Sequence, residues 1–136
     1  MSQPDTRVLN SPAVPAALAD IAVALERVWI AHPHVPAVQR MHIDLAAGEI
    51  AANIIEHATR GRPVWMTMDV IVFTDRVRVE FTDDGDSVDV DIDAVCLPDD
   101  MAERGRGLAL ARTVLAELHY QRTDINHWVL VSKPFG

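Results

Sequence analysis

Along the chain, apolar residues recur at three- and four-residue steps in three stretches and alternate at two-residue steps in four others. The first helical stretch opens at Pro15, a residue favoured in a first turn, and runs through Leu18, Ile21, Ala22, Leu25, Val28 and Trp29. His32-Pro-His34-Val-Pro36 ends it, because each proline pushes its predecessor out of helical geometry, and this segment reads as a linker. The second helix, Leu45 to Thr59, follows the face set by Ile43, Ala46, Ala47, Ile50, Ile54 and Ala58. The third opens at Gly105 and Gly107 and carries Leu108, Ala111, Leu115 and Leu118.

Between the second and third helices, the turn Gly61-Arg-Pro63 leads into Val64, Met66, Met68, Val70 and Val72, which alternate with Trp65, Thr67, Asp69 and Ile71. Thr74-Asp75 makes a tight connection to Arg76 to Thr82, where Val77, Val79 and Phe81 share one side, so the pair is a hairpin. Tyr120 to Thr123 and Trp128 to Ser132 read as two further strands across a turn at Asp124 to Asn126. Residues 1–11 are polar apart from Val8 and Leu9 and read as an N-terminal tail or short edge strand, leaving 12–136 as a single domain. Three amphipathic helices with at least four strands give an α/β fold.

Polar residues break these patterns at three places. On the central helix Glu49, Asn53 and His57 lie four apart, so a carboxylate, an amide and an imidazole line up one turn above another. A solvated face is the plain reading. Carboxylate and amide together also suit general-base and magnesium chemistry, since Mg²⁺ takes oxygen ligands and a free carboxylate accepts a proton. On the hairpin, carrying the alternation past Phe81 turns Asp83 to the apolar side and Asp84 outward. A polar group buried without partners costs about 2–7 kcal/mol, so Asp83 either finds donors in its own turn or serves a ligand. Gly85, two residues on, lets a flat ligand approach the backbone and leaves Asp83 to accept a hydrogen bond from an amino group. At the third place Gly105 and Gly107 open a helix beside Arg104 and Arg106. That is either a tight turn with solvated arginines or a phosphate site at free backbone amides.

Charge and composition narrow the function. The 12 Lys and Arg against 20 acids give a formal charge of −8, which disfavours nucleic acid as a partner. The single cysteine, Cys96, excludes an internal disulfide and any zinc site built from two cysteines. Asp83 to Asp100 holds eight aspartates, but the order DDGDSVDVDID lacks the glycine and glutamate spacing of a calcium helix-loop-helix and reads as a solvated loop. His32 and His34 read as exposed loop residues rather than metal ligands. No basic start followed by an apolar run opens the chain, and Asp20, Glu26 and Arg27 interrupt its most apolar segment, so a cytoplasmic protein without a membrane partner is expected.

Taken together, Glu49-x-x-x-Asn53, Asp83-x-Gly85 and Gly105-x-Gly107 resemble the ATP-binding (Bergerat) domain of the GHKL superfamily, and within it the small anti-sigma-factor serine kinases. EIAANIIEHA looks like the helix carrying base and metal ligand, FTDDG like the adenine turn, and ERGRGLALARTVLAEL like the phosphate loop and its helix. The resemblance implies a two-layer α/β sandwich, with a mixed, mainly antiparallel sheet covered on one face by three helices. It implies ATP and Mg²⁺ as cofactors, Glu49 as general base and Asn53 as the Mg²⁺ ligand. Asp83 would accept the adenine amino group. Gly85, Gly105 and Gly107 would be the nucleotide-hugging glycines, Arg106 would bind nucleotide, and Arg104 would face the terminal phosphate. Two positions depart from the family: Ser87 replaces the second glycine after the aspartate, and His127 or Trp128 replaces a threonine near the start of the last strand.

The function implied is an ATP-dependent protein serine kinase of the anti-sigma type, which holds a sigma factor inactive and phosphorylates its STAS-type antagonist. Phosphoryl transfer needs positioning, Mg²⁺ and a base, which match the residues found. A length of 136 residues is expected to leave no room for the dimerisation helices of a sensor kinase. A homodimer is implied by resemblance. The alternative is a non-catalytic ATP-binding or sequestering module of the same fold, which Ser87 and Trp128 favour.

Overall fold

A computed structural model of the chain describes residues 7–58, 62–86 and 103–136. The elements run β1 (Arg7–Pro12), α1 (Ala17–Ala31), α2 (Ala37–Ala58), β2 (Trp65–Val72), β3 (Val77–Asp83), α3 (Glu103–Val114), β4 (Leu115–Arg122) and β5 (Asn126–Ser132). The strands form one sheet in the order β1-β2-β3-β5-β4. Each of the described pairings is antiparallel, so the mixed sheet expected from resemblance is antiparallel at all of them.

Strand parity decides the layers. In β2, β3 and β5 every second residue is buried, and Met68, Val79, Phe81 and Leu130 have no exposed surface. These residues face α2, whose Ile43, Ala46, Ala47 and Ile50 are equally enclosed, and each fully buried aliphatic or aromatic side chain contributes about 1.5–3 kcal/mol. The other sheet face keeps Asp69, Arg78, Glu80, Thr82 and His127 partly in water. The result is a two-layer α/β sandwich, with α2 against the sheet and α1 and α3 beside it. Trp29 Nε1 donates to Asp44 at 2.9 Å and ties α1 to α2.

Four boundaries differ from the sequence reading. Helix α2 begins eight residues before Leu45, because Pro36 ends the linker as a helix entrance: the Arg40 N–H donates to the Pro36 carbonyl at 3.1 Å, an i to i−4 bond. Val38 and Met41 on that first part are more than half exposed, which blurs the apolar period there. Helix α3 begins at Glu103 rather than at the glycines. It ends at Val114, and Leu115 to Leu118 belong to β4 although both leucines are buried at a three-residue spacing. A bulge between Leu115 and Glu117 adds one residue to the strand, and so puts positions 115 and 118 on one face. Finally, β5 starts at Asn126, two residues before Trp128.

Candidate functional site

The end of β3 presents Asp83 inward, on the face of Val77, Val79 and Phe81, with 5 % of its surface exposed. Across the ladder stands Asn126, the first residue of β5, at 1 %. Asp83 Oδ1 accepts two hydrogen bonds, from the Gly85 backbone N–H and from Asn126 Nδ2, both at 2.9 Å. Oδ2 accepts none from the described residues. Burial pushes the Asp83 carboxyl above its ordinary range, with the Asn126 and Gly85 donors pulling the other way.

Gly85 is needed for space. A β-carbon there would stand 2.9 Å from Asp83 Oδ1 and 3.4 Å from a Val64 methyl, crowding the carboxylate it donates to. Asp84 points outward, as its parity predicts, and closes the turn by accepting the Trp65 N–H on Oδ1 at 2.8 Å. Arg62 donates to the Asp84 carbonyl.

A cleft opens at this strand end, lined by Asn53, His57 and Ala58 of α2, by Val64, Asp83, Gly85 and Asp86, and by Asn126 and Trp128 of β5. Its void is about 10 Å³, the size of one water. Two of the residues lining it carry a buried donor without a partner among the described residues, Asn53 Nδ2 and Trp128 Nε1. The Trp128 ring packs on Tyr120 with centroids 4.6 Å apart.

One turn before Asn53 on α2, Glu49 lies against the first part of α3. A β-carbon on Gly107 would fall inside the van der Waals envelope of Glu49 Oε2 and 3.2 Å from Glu49 Cδ. The fold therefore gathers Glu49, Asn53, Asp83, Gly85 and Gly107, which come from three separate stretches of sequence. Gly105 lies on α3. The side chains of Arg104 and Arg106 fall outside the described residues, as do Ser87 and the acidic run to Asp100.

Sequence reasoning missed Asn126. A substituted threonine was expected at His127 or Trp128, but the residue opposite Asp83 is Asn126, while His127 points to the other sheet face and meets Glu80 at 2.8 Å. The missing signal was parity: 126, 128, 130 and 132 alternate inward together, and the expected turn at Asp124 to Asn126 concealed the first of them.

The chain matches the model of the histidine kinase-like ATPase domain over residues 11–133. It belongs to that family. Among curated proteins no sequence matches. This histidine kinase-like ATPase domain is an ATP-binding domain, within the superfamily that the three motifs resemble. Its residues fit a nucleotide on their own evidence: a buried carboxylate whose Oδ2 accepts no bond from the described residues, a buried amide nitrogen on the facing helix without a partner among them, and two glycines where a β-carbon would crowd the site. The oxygen of that amide, Asn53 Oδ1, is of the kind that Mg²⁺ takes. No helix among the described residues is long and apolar enough to cross a membrane.

Proposed function

We propose that the chain is an ATP-dependent protein serine kinase of the anti-sigma type, acting in the cytoplasm as a homodimer. In this reading it sequesters a sigma factor and phosphorylates, on serine, a STAS-type anti-sigma-factor antagonist. The observation that carries its nucleotide half is Asp83, buried in the lining of the cleft, with Oδ1 accepting two bonds and Oδ2 none from the described residues. An exocyclic amino group donates to such an oxygen, and a charged acceptor roughly doubles the strength of that bond.

Mg²⁺–ATP supplies the phosphoryl group when bound, with Asn53 holding the metal. Asp83 orients the base, and Gly85 leaves room for it. Glu49 accepts the proton of the attacking serine hydroxyl; no covalent nucleophile is required of the protein. The resemblance further assigns Gly105 and Gly107 to the approach of phosphate, Arg106 to nucleotide contact and Arg104 to the terminal phosphate.

One observation favours the non-catalytic alternative: Glu49 Oε2 is packed against Gly107 of α3 and is not open to a hydroxyl from that side. The two readings separate by titration with purified sigma factor and antagonist, with and without ATP. The kinase reading expects the unmodified antagonist to release sigma factor, and ATP to place phosphoserine on the antagonist and return sigma factor to the complex, whereas sequestration alone leaves the antagonist unmodified.

A further inference from the structure

The hairpin β4–β5 reaches over the turn after Asp83 with three side chains, Tyr120, Arg122 and Asn126, joined by hydrogen bonds. Asn126 Nδ2 donates to Asp83 Oδ1 at 2.9 Å and to the Asp86 carbonyl at 2.8 Å, with the Gly85 carbonyl a longer third acceptor at 3.4 Å. Its Oδ1 accepts from the Tyr120 hydroxyl and from Arg122 Nη1, the latter at 3.0 Å. Arg122 Nη1 also donates to the Gly85 carbonyl at 2.9 Å.

An amide offers two protons on one side and two lone pairs on the other, and here both sides are filled. Because two donors converge on its Oδ1, the amide has one orientation that satisfies the network, with Nδ2 toward Asp83. A flipped amide would set its oxygen against the Asp83 carboxylate and its NH₂ against the Arg122 guanidinium, acceptor facing acceptor and donor facing donor, at a cost characteristic of buried polar groups. The same lock decides the carboxylate. Gly85 and Asn126 both hold Oδ1, so among the described residues Oδ2 is left without a donor and open to a ligand.

We propose that Asn126, locked by Tyr120 and Arg122, is a positioning residue that aims Asp83 Oδ2 at the base and so sets preference for a purine bearing a 6-amino group. This rests on the nucleotide reading of the cleft. The selectivity is chemical: a 6-amino purine donates to Oδ2, whereas a 6-oxo purine turns an acceptor to it and gains nothing.

The test is calorimetric titration of the full chain with ATP and with ITP, each with Mg²⁺. Wild type should bind ATP at least tenfold more tightly than ITP. In Asn126→Ala the ATP affinity should fall about tenfold and the ITP affinity hardly change, so that the ratio approaches one. Equal losses for both nucleotides, or none, would overturn the positioning role while leaving ATP binding intact. Should wild type bind ATP and ITP equally, the base reading of Asp83 fails first, and this inference with it. If Asn126→Ala does not fold, Tyr120→Phe with Arg122→Met removes both side-chain donors to Oδ1 and frees the amide to turn. The ratio should fall in that variant too, and an unchanged ratio there also refutes the proposal.

Discussion

The carboxylate of Glu49 on α2 and the bare α-carbon of Gly107 on α3 share one space: a β-carbon at 107 would stand 3.2 Å from Glu49 Cδ and overlap Oε2. Gly107 lies within a helix, where alanine is favoured over glycine by about 0.5–1 kcal/mol. The atom in the way is the far end of a flexible side chain, so the backbone has no need to yield. Gly107→Ala should therefore keep or raise stability in urea unfolding while pushing Glu49 aside, and a displaced catalytic group loses about 10²-fold in rate. Unchanged phosphate transfer in that variant would separate Glu49 from the chemistry.

Asp83→Asn should weaken ATP binding by about tenfold or more, read by calorimetry. The amide keeps its oxygen on Gly85 and Asn126, which both hold Oδ1 in the native protein, and so turns its NH₂ toward the cleft where a ligand amino group needs an acceptor. Unchanged affinity would contradict the assignment.

The same substitution has an opposite effect on stability. Burial raises the folded Asp83 carboxyl above its unfolded value near 3.9, so its favourable contribution is complete below that pH and is lost as pH rises through the raised value. Asp44 is raised by burial in the same way and behaves alike. The stability gap between Asp83→Asn and wild type should thus be smallest near pH 4 and grow in the variant's favour toward pH 7. A gap independent of pH in urea titrations would show that Asp83 ionises in the fold as freely as in the unfolded chain.

Much of this site was legible from parity alone. Asp83 was placed inward by counting from Val77, and Glu49 and Asn53 were placed on one helix face by their spacing; the structure keeps both arrangements. The rest was hidden by competing signals. A strand bulge gave Leu115 and Leu118 a helical spacing, exposed Val38 and Met41 masked the first turns of α2, and Asn126 looked like a turn residue although it opens β5. Long-range bonds such as Arg122 to Gly85 leave no local pattern, because only the sheet order brings their strands together.

For assembly, light scattering at high micromolar protein should report twice the chain mass of 15.0 kDa. A species of single-chain mass would remove the homodimer and leave the nucleotide site untouched.

Labelled phosphate transfer from ATP to serine on a STAS-type antagonist, compared between wild type and Glu49→Gln, tests the kinase claim most directly. Glutamine keeps the size and hydrogen bonding of glutamate but accepts no proton at neutral pH. Nucleotide binding should persist while transfer falls roughly 10²–10⁴-fold, as for a lost general base. Equal transfer by the two proteins would contradict Glu49 as the base, and a wild type that binds ATP yet labels no antagonist would replace the kinase with a sequestering module.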